Sequence, residues 1–239
     1  MFQLLLGVRI MHIEPGVVDG AKILLSIGTA SVAFTLTAKA AIEMLRSDGL
    51  SALVTRSIIA TFLVFCSFEV LWHHPVGVSE VHLIMGSTLF LLFGAAPTAL
   101  GLALGLLIQG VFFAPTDLPQ LGMNLTSLLL PLFAMGAIAK RVIAPSTPYV
   151  DLTYRQTLKL SLAFQGGVVA WVAFWSVYGQ GLSIPTMASI LSFGSAYAGV
   201  IVLESCLDVC LLAGAKRIRQ VQDVNFFNSR LLSARPRLG

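Results

Sequence analysis

Two stretches of this chain leave little choice of fold. From Val81 to Thr116 no side chain is acidic or basic apart from His82, and from Leu160 to Leu203 none is charged. Crossing a bilayer takes about 20 apolar residues as a helix. Each stretch is therefore too long for one crossing and just long enough for two. Gly94-Ala95-Ala96-Pro97-Thr98 interrupts the first, and Gly179-Gln180-Gly181 with Pro185 interrupts the second. Three further runs complete the pattern: Ile23–Ala38 between Lys22 and Lys39, Leu53–Trp72 ending on an interfacial tryptophan, and Met123–Ala139 closed by Lys140-Arg141. Only 11% of residues are charged and 56% are hydrophobic, where a soluble domain carries about 25% charge. The expectation is an all-α polytopic membrane bundle of about seven transmembrane helices. Pro and Gly mark His73–Glu80 and Ala114–Gly122 as loops.

The basic residues orient this bundle. Arg46 and Arg56 fall between the first two spans, and Lys140, Arg141, Arg155 and Lys159 between the fifth and sixth. Lys216, Arg217, Arg219, Arg230, Arg235 and Arg237 crowd the C-terminus, while the loops after spans two, four and six have no Lys or Arg. The positive-inside rule then puts the N-terminus outside and the C-terminus in the cytoplasm. The net charge of +4 is a membrane-topology signal, and no nucleic-acid partner is expected. Cys66, Cys206 and Cys210 form no CxxC pair, which excludes a disulfide framework and a zinc knuckle; Cys206 and Cys210, four apart on one helical face, read as small packing residues in preference to soft metal ligands. Residues 1–10 lack a cationic start and a cleavage site, so they do not read as a signal peptide. The expected division is 1–10 as a non-native or mis-assigned N-terminal extension, 11–214 as a transmembrane metal-binding transport domain, and 215–239 as a basic cytoplasmic tail.

Chemistry concentrates in the N-terminal third. Met11-His12-Ile13-Glu14-Pro15-Gly16 is a polar knot ahead of the first span. Were Met11 a free N-terminus, its amine, the Met-His amide nitrogen and the His12 ring would close two chelate rings on one metal. Such a nitrogen set suits Ni²⁺, Cu²⁺ and Co²⁺. Of the four histidines, His82 opens the third span, where a polar side chain tends to face the bundle interior. His73 and His74 follow Trp72 at the membrane surface, as solvated residues or reserve ligands. Glu14 is a candidate acceptor for the His12 ring or a cap. Gln109 and Asn124 suit helix-to-helix hydrogen bonds, and Glu69 and Glu204 are intramembrane carboxylates. The chain has neither GxxxxGK[ST] nor HExxH, so it carries no phosphate loop for ATP and no zincin site. Two rivals to metal capture are a histidine-ligated membrane haem or metal enzyme, and a stand-alone ion-coupled secondary transporter working through Glu69 or Glu204.

Two stretches carry a resemblance. Met11-His12-Ile13-Glu14-Pro15-Gly16-Val17-Val18-Asp19-Gly20 is one. The other runs from Gly77-Val78-Ser79-Glu80-Val81-His82-Leu83-Ile84-Met85-Gly86 through Gly94-Ala95-Ala96-Pro97 and Leu106-Leu107-Ile108-Gln109-Gly110 to Leu121-Gly122-Met123-Asn124. Together they resemble the CbiM/NikM family, the substrate-binding membrane component of energy-coupling-factor transporters for cobalt and nickel. The resemblance implies a non-enzymatic permease of a bacterial-type cell (inner) membrane. Its transported substrate would be Co²⁺ or Ni²⁺, with no organic cofactor. Implied partners are a cytoplasmic ATPase subunit, a coupling transmembrane subunit and a small accessory membrane subunit. The implied metal ligands are Met11, His12 and His82, with Glu14, Ser79, Gln109 and Asn124 in support. Glu204 answers the family's intramembrane glutamate, whereas Tyr197 stands where a histidine is expected. Because the chelate needs the amine of Met11, translation is expected to begin there.

Overall fold

The computed structural model describes residues 13, 17–145 and 147–217. Helix α1 spans Ile23–Ser47, entered through a 3₁₀ turn at Gly20–Lys22; α2 spans Leu50–Phe65 and is prolonged by a π-turn, Cys66–Val70. Strands β1 (His73–Val76) and β2 (Ser79–His82) follow, then α3 (Gly86–Phe93) and α4 (Ala95–Phe112). A 3₁₀ segment, Pro115–Gln120, leads into α5 (Leu121–Val142). Helices α6 (Tyr154–Gln180) and α7 (Ile184–Arg217) close the described chain.

Six of these helices are long and apolar enough to cross a membrane. Their burial is inverted relative to a soluble bundle. Leu24, Ile27, Ile58, Phe62, Leu191 and Val202 are exposed, while Thr98, Gln109, Thr126, Ser161, Gln165, Glu204 and Asp208 are buried. Lipid is as apolar as leucine, so packing and interhelical hydrogen bonds hold such a bundle together. Small residues let backbones approach. A Cβ on Gly101 would lie 2.6 Å from that of Ala60, and one on Gly105 would lie 2.6 Å from Val64 Cγ1. Four residues along α4 thus match four along α2, so these neighbours run parallel. The segment between them must return from the end of α2 to the start of α4.

That return corrects the expected third span. It is not one helix but a β-hairpin, an extended turn and the eight residues of α3, about 12 Å of helix against about 30 Å of hydrocarbon. The hairpin also corrects the reading of His73–Glu80 as a loop and qualifies the all-α expectation. Its strands are antiparallel, with His73 opposite His82 and Val76 opposite Ser79. Gly77 turns the hairpin at φ 66°, and a Cβ there would lie 2.2 Å from the Ser189 carbonyl oxygen of α7. Non-helical backbone at membrane depth is tolerated only when protein covers it, and all four residues of β2 are buried.

The two ends of the bundle differ. At the hairpin end, Lys22 Nζ donates to the Gly179 carbonyl at 2.7 Å, and Gly122 of α5 packs against Ser26 of α1. At the other end, Thr153 and Gln156 form a capping box on α6, and Gln156 Nε2 reaches the Val142 carbonyl at 2.7 Å. Arg56, buried in α2, pairs with Asp48 at 2.7 Å. Tyr149 lies in the connection before α6; burial pushes its hydroxyl pKa up, with the nearby Asp208 carboxylate adding to the shift.

Candidate metal-binding site

The hairpin delivers its chemistry through β2. Residues two apart on a strand share a face, and His82, Glu80, Ser79, Ile84, Asn124, Tyr197 and Ile13 line one narrow cavity of about 20 Å³. That is room for a single water-sized particle. His82 is buried, and its ring meets Phe68 of the π-turn edge-on at 4.7 Å and 72°.

Helix α7, backed by α6, fixes the backbone just after His82. Glu204 of α7 accepts from the N–H of Ile84 and from that of Met85, the latter at 2.9 Å. Met85 has the left-handed φ of 56°, which ends the strand and starts α3. The first N–H groups of a helix have no partner within it, and in lipid each would be costly; one carboxylate oxygen takes the N–H of Met85 at the cap of α3 together with that of Ile84 just before it. Gln165 Nε2 of α6 donates to the other oxygen of Glu204, and Tyr197 hydroxyl donates to Gln165 Oε1 at 2.8 Å. One turn further along α7, Asp208 accepts from the hydroxyls of Ser87 at 2.6 Å and Thr88 at 2.5 Å.

Of the expected supporting residues, Asn124 and Ser79 do reach this cavity. Asn124 Oδ1 accepts from the backbone N–H of Ile13 at 3.2 Å, which ties the chain beyond the Met-His pair to the start of α5. Gln109 lies elsewhere: its Nε2 faces the Phe68 carbonyl and Glu69 Oε2, each at 3.4 Å. It shares only a neighbouring pocket with Asn124. Met11, His12 and Glu14 lie outside the described residues. His73 Nε2 lies 4.0 Å from Glu80 Oε1, and His74 stacks on Trp72. Cys206 and Cys210 are exposed on α7, which corrects their reading as packing residues. Among the described residues no three His, Cys, Asp or Glu side chains gather as a metal cluster, so His82 is the described member of the expected ligand set.

Sequence reasoning missed Glu80, Gln165 and Asp208. Glu80 was within reach of it, since i and i+2 on a strand place it beside His82. The loop reading of the hairpin hid that period.

Comparison with known proteins agrees with the geometry. No curated protein and no solved structure matches the chain significantly. Residues 12–221, nearly the whole chain, match the family model described as the cobalt uptake substrate-specific transmembrane region. A buried histidine on a broken membrane element, among six apolar helices, fits a transport component, and the match shows the family: the chain is a member of the CbiM family, the transmembrane component of cobalt uptake.

Proposed function

We propose that this chain captures Co²⁺ or Ni²⁺ at the outer face of a bacterial-type cell membrane, as the substrate-binding subunit of an energy-coupling-factor transporter. The observation that carries the reading is the shared cavity: Ile13, bonded to His12, and His82 line the same small space, and Asn124 holds Ile13 there. The donors are the Met11 amine, the amide nitrogen and ring of His12, and the ring of His82. A nitrogen set of this kind favours late first-row ions, while Mg²⁺ and Ca²⁺ require oxygen ligands. The amine must be free, so the functional polypeptide starts at Met11, and an intact mass of the membrane-extracted protein checks this directly.

The bundle makes seven passages, the third split into strand and short helix, with the hairpin end outside. Arg46, Lys140, Arg141, Arg155, Lys216 and Arg217 then face the cytoplasm, where a partner ATPase and a coupling membrane subunit act. A small accessory membrane subunit completes the assembly. An ion-coupled carrier working alone through Glu204 is disfavoured, because that carboxylate is engaged by two backbone N–H groups.

Metal content decides the matter. With protein beginning at Met11, His12→Ala and His82→Ala should each remove most bound Co²⁺ or Ni²⁺, and His73→Ala should not. Retention of metal by both of the first two variants refutes the site.

A further inference from the structure

The groups that hold the His82 segment in place do not come from the hairpin. They hang from α7. Glu204 and Asp208 are four residues apart, so both carboxylates project from one face of that helix, and both are buried. Glu204 takes the N–H of Ile84 and Met85, and Asp208 takes the hydroxyls of Ser87 and Thr88. The gripped segment, Ile84 to Thr88, begins two residues after His82. Left-handed backbone occurs within it at Met85 and, beyond α3, at Gly94 with φ 92°.

We infer that Glu204 is the positioning residue for His82, held in its working orientation by Gln165 and Tyr197. The chain of donors has one direction. Tyr197 hydroxyl donates to Gln165 Oε1, so the amide must present Nε2 to Glu204. That donor occupies one carboxylate oxygen and leaves the other to the two backbone N–H groups. Tyr197 thus fixes the amide that aims the carboxylate that sets the strand. Ile84 and Tyr197 both line the His82 cavity, so the network and the site are one packed unit. Around Asp208 the same logic continues through Ser161 and Ser205, whose hydroxyls lie 3.2 Å apart. These groups anchor the start of α3 without touching the cavity.

This inference rests on the reading of His82 as a metal ligand, and the experiment separates the two. The full chain beginning at Met11 is titrated with Co²⁺, and both affinity and the visible ligand-field spectrum of the bound ion are followed. Glu204→Ala should weaken Co²⁺ at least tenfold and alter the spectrum, because the ring no longer meets the ion in the same geometry. Glu204→Gln keeps a carbonyl for Ile84 and Met85; Gln165 then turns its amide to accept from the new Nε2, and the Tyr197 hydroxyl, able to accept as well as donate, takes the Gln165 N–H. This variant should stay within about threefold of the parent with an unchanged spectrum. Tyr197→Phe removes only the orienting hydroxyl and is the safeguard should Glu204→Ala not fold; it should shift the spectrum and weaken binding three- to tenfold. A side chain with a merely structural role would lower the melting temperature and leave the spectrum alone. Should His82→Ala abolish binding while Tyr197→Phe and any folded Glu204→Ala keep the parent spectrum and affinity, the positioning role is overturned and the site stands. Should His82→Ala itself bind normally, the site reading falls first.

Discussion

Adding a single methyl group at Gly86 tests whether the start of α3 is as rigidly placed as its contacts require. A Cβ built there lies 2.1, 2.4 and 2.7 Å from Cζ, Cε1 and Cε2 of Phe164. Phe164 is fully buried on α6, so the ring cannot swing into lipid, and either it or α3 must shift. Forcing extra volume into a packed interior costs about 1–3 kcal/mol. Replacing Gly by Ala in a helix returns at most about 1 kcal/mol, and less in a first turn. Packing should win. Gly86→Ala is therefore expected to destabilise the bundle by about 1–2 kcal/mol, roughly 2–8 °C in melting temperature for a domain of this size. Because Gly86 is four residues past His82, Co²⁺ affinity should fall too. Thermal unfolding in detergent reads the first effect, and a Co²⁺ titration the second. Phe164→Leu should be costly alone yet recover much of the loss when combined with Gly86→Ala, giving a favourable coupling of about 1 kcal/mol or more. A Gly86→Ala protein as stable as the parent would refute the packing argument. So would a destabilised one that Phe164→Leu fails to relieve.

Two further perturbations act on other walls of the site. A Cβ on Gly179 would lie 1.8 Å from the Val17 carbonyl oxygen, a backbone atom. Gly179→Ala should thus displace the segment that leads to Ile13 and weaken Co²⁺ binding at least tenfold; unchanged affinity would show that this contact does not position the N-terminal ligands. Binding through a deprotonated amide nitrogen releases a proton, so the amide-bound form gains as pH rises and is lost as pH falls. Co²⁺ affinity should therefore drop between pH 8 and pH 6, and a flat profile over that range would exclude the amide donor.

The sequence exposes the long helices because lipid imposes a single demand on them, which is the absence of charge over a sufficient length. It does not expose the third passage, for a physical reason. Leu83 to Phe93 is as apolar as any span, but protein rather than lipid covers it, and hydropathy cannot tell the two apart. The break is set by Met85, whose left-handed φ no propensity would suggest. Pro75 and Gly77 favoured a loop over a hairpin, although the edge of a two-stranded ribbon tolerates proline. Glu204 was legible as an intramembrane carboxylate. Its partners were not, since the N–H groups of Ile84 and Met85 carry no sequence signal and Gln165 is 39 residues away. The cysteines show the converse error: Cys206 and Cys210 are exposed because an apolar surrounding in sequence is, on α7, the lipid-facing side.

The broken passage also explains why a metal-capturing bundle contains carboxylates that touch no cavity. A continuous helix through residues 79–93 would satisfy its own N–H groups but would fix His82 on a helical face, with its neighbours four residues off. A strand instead brings Glu80, two residues away, into the same cavity as His82. Its cost is a helix start deep in the bundle, with N–H groups that water cannot reach, each worth several kcal/mol if left unpaired in hydrocarbon. Glu204 takes the N–H of Met85, the cap of α3, and that of Ile84 just before it, and Asp208 takes the hydroxyls of Ser87 and Thr88 in the first turn. Buried charge in a membrane usually suggests an ion path. Here the geometry assigns it to the backbone, and one consequence separates the two roles. An ion-path carboxylate loses function on conversion to an amide, whereas a backbone acceptor keeps most of it, so Glu204→Gln should retain metal binding that Glu204→Ala loses.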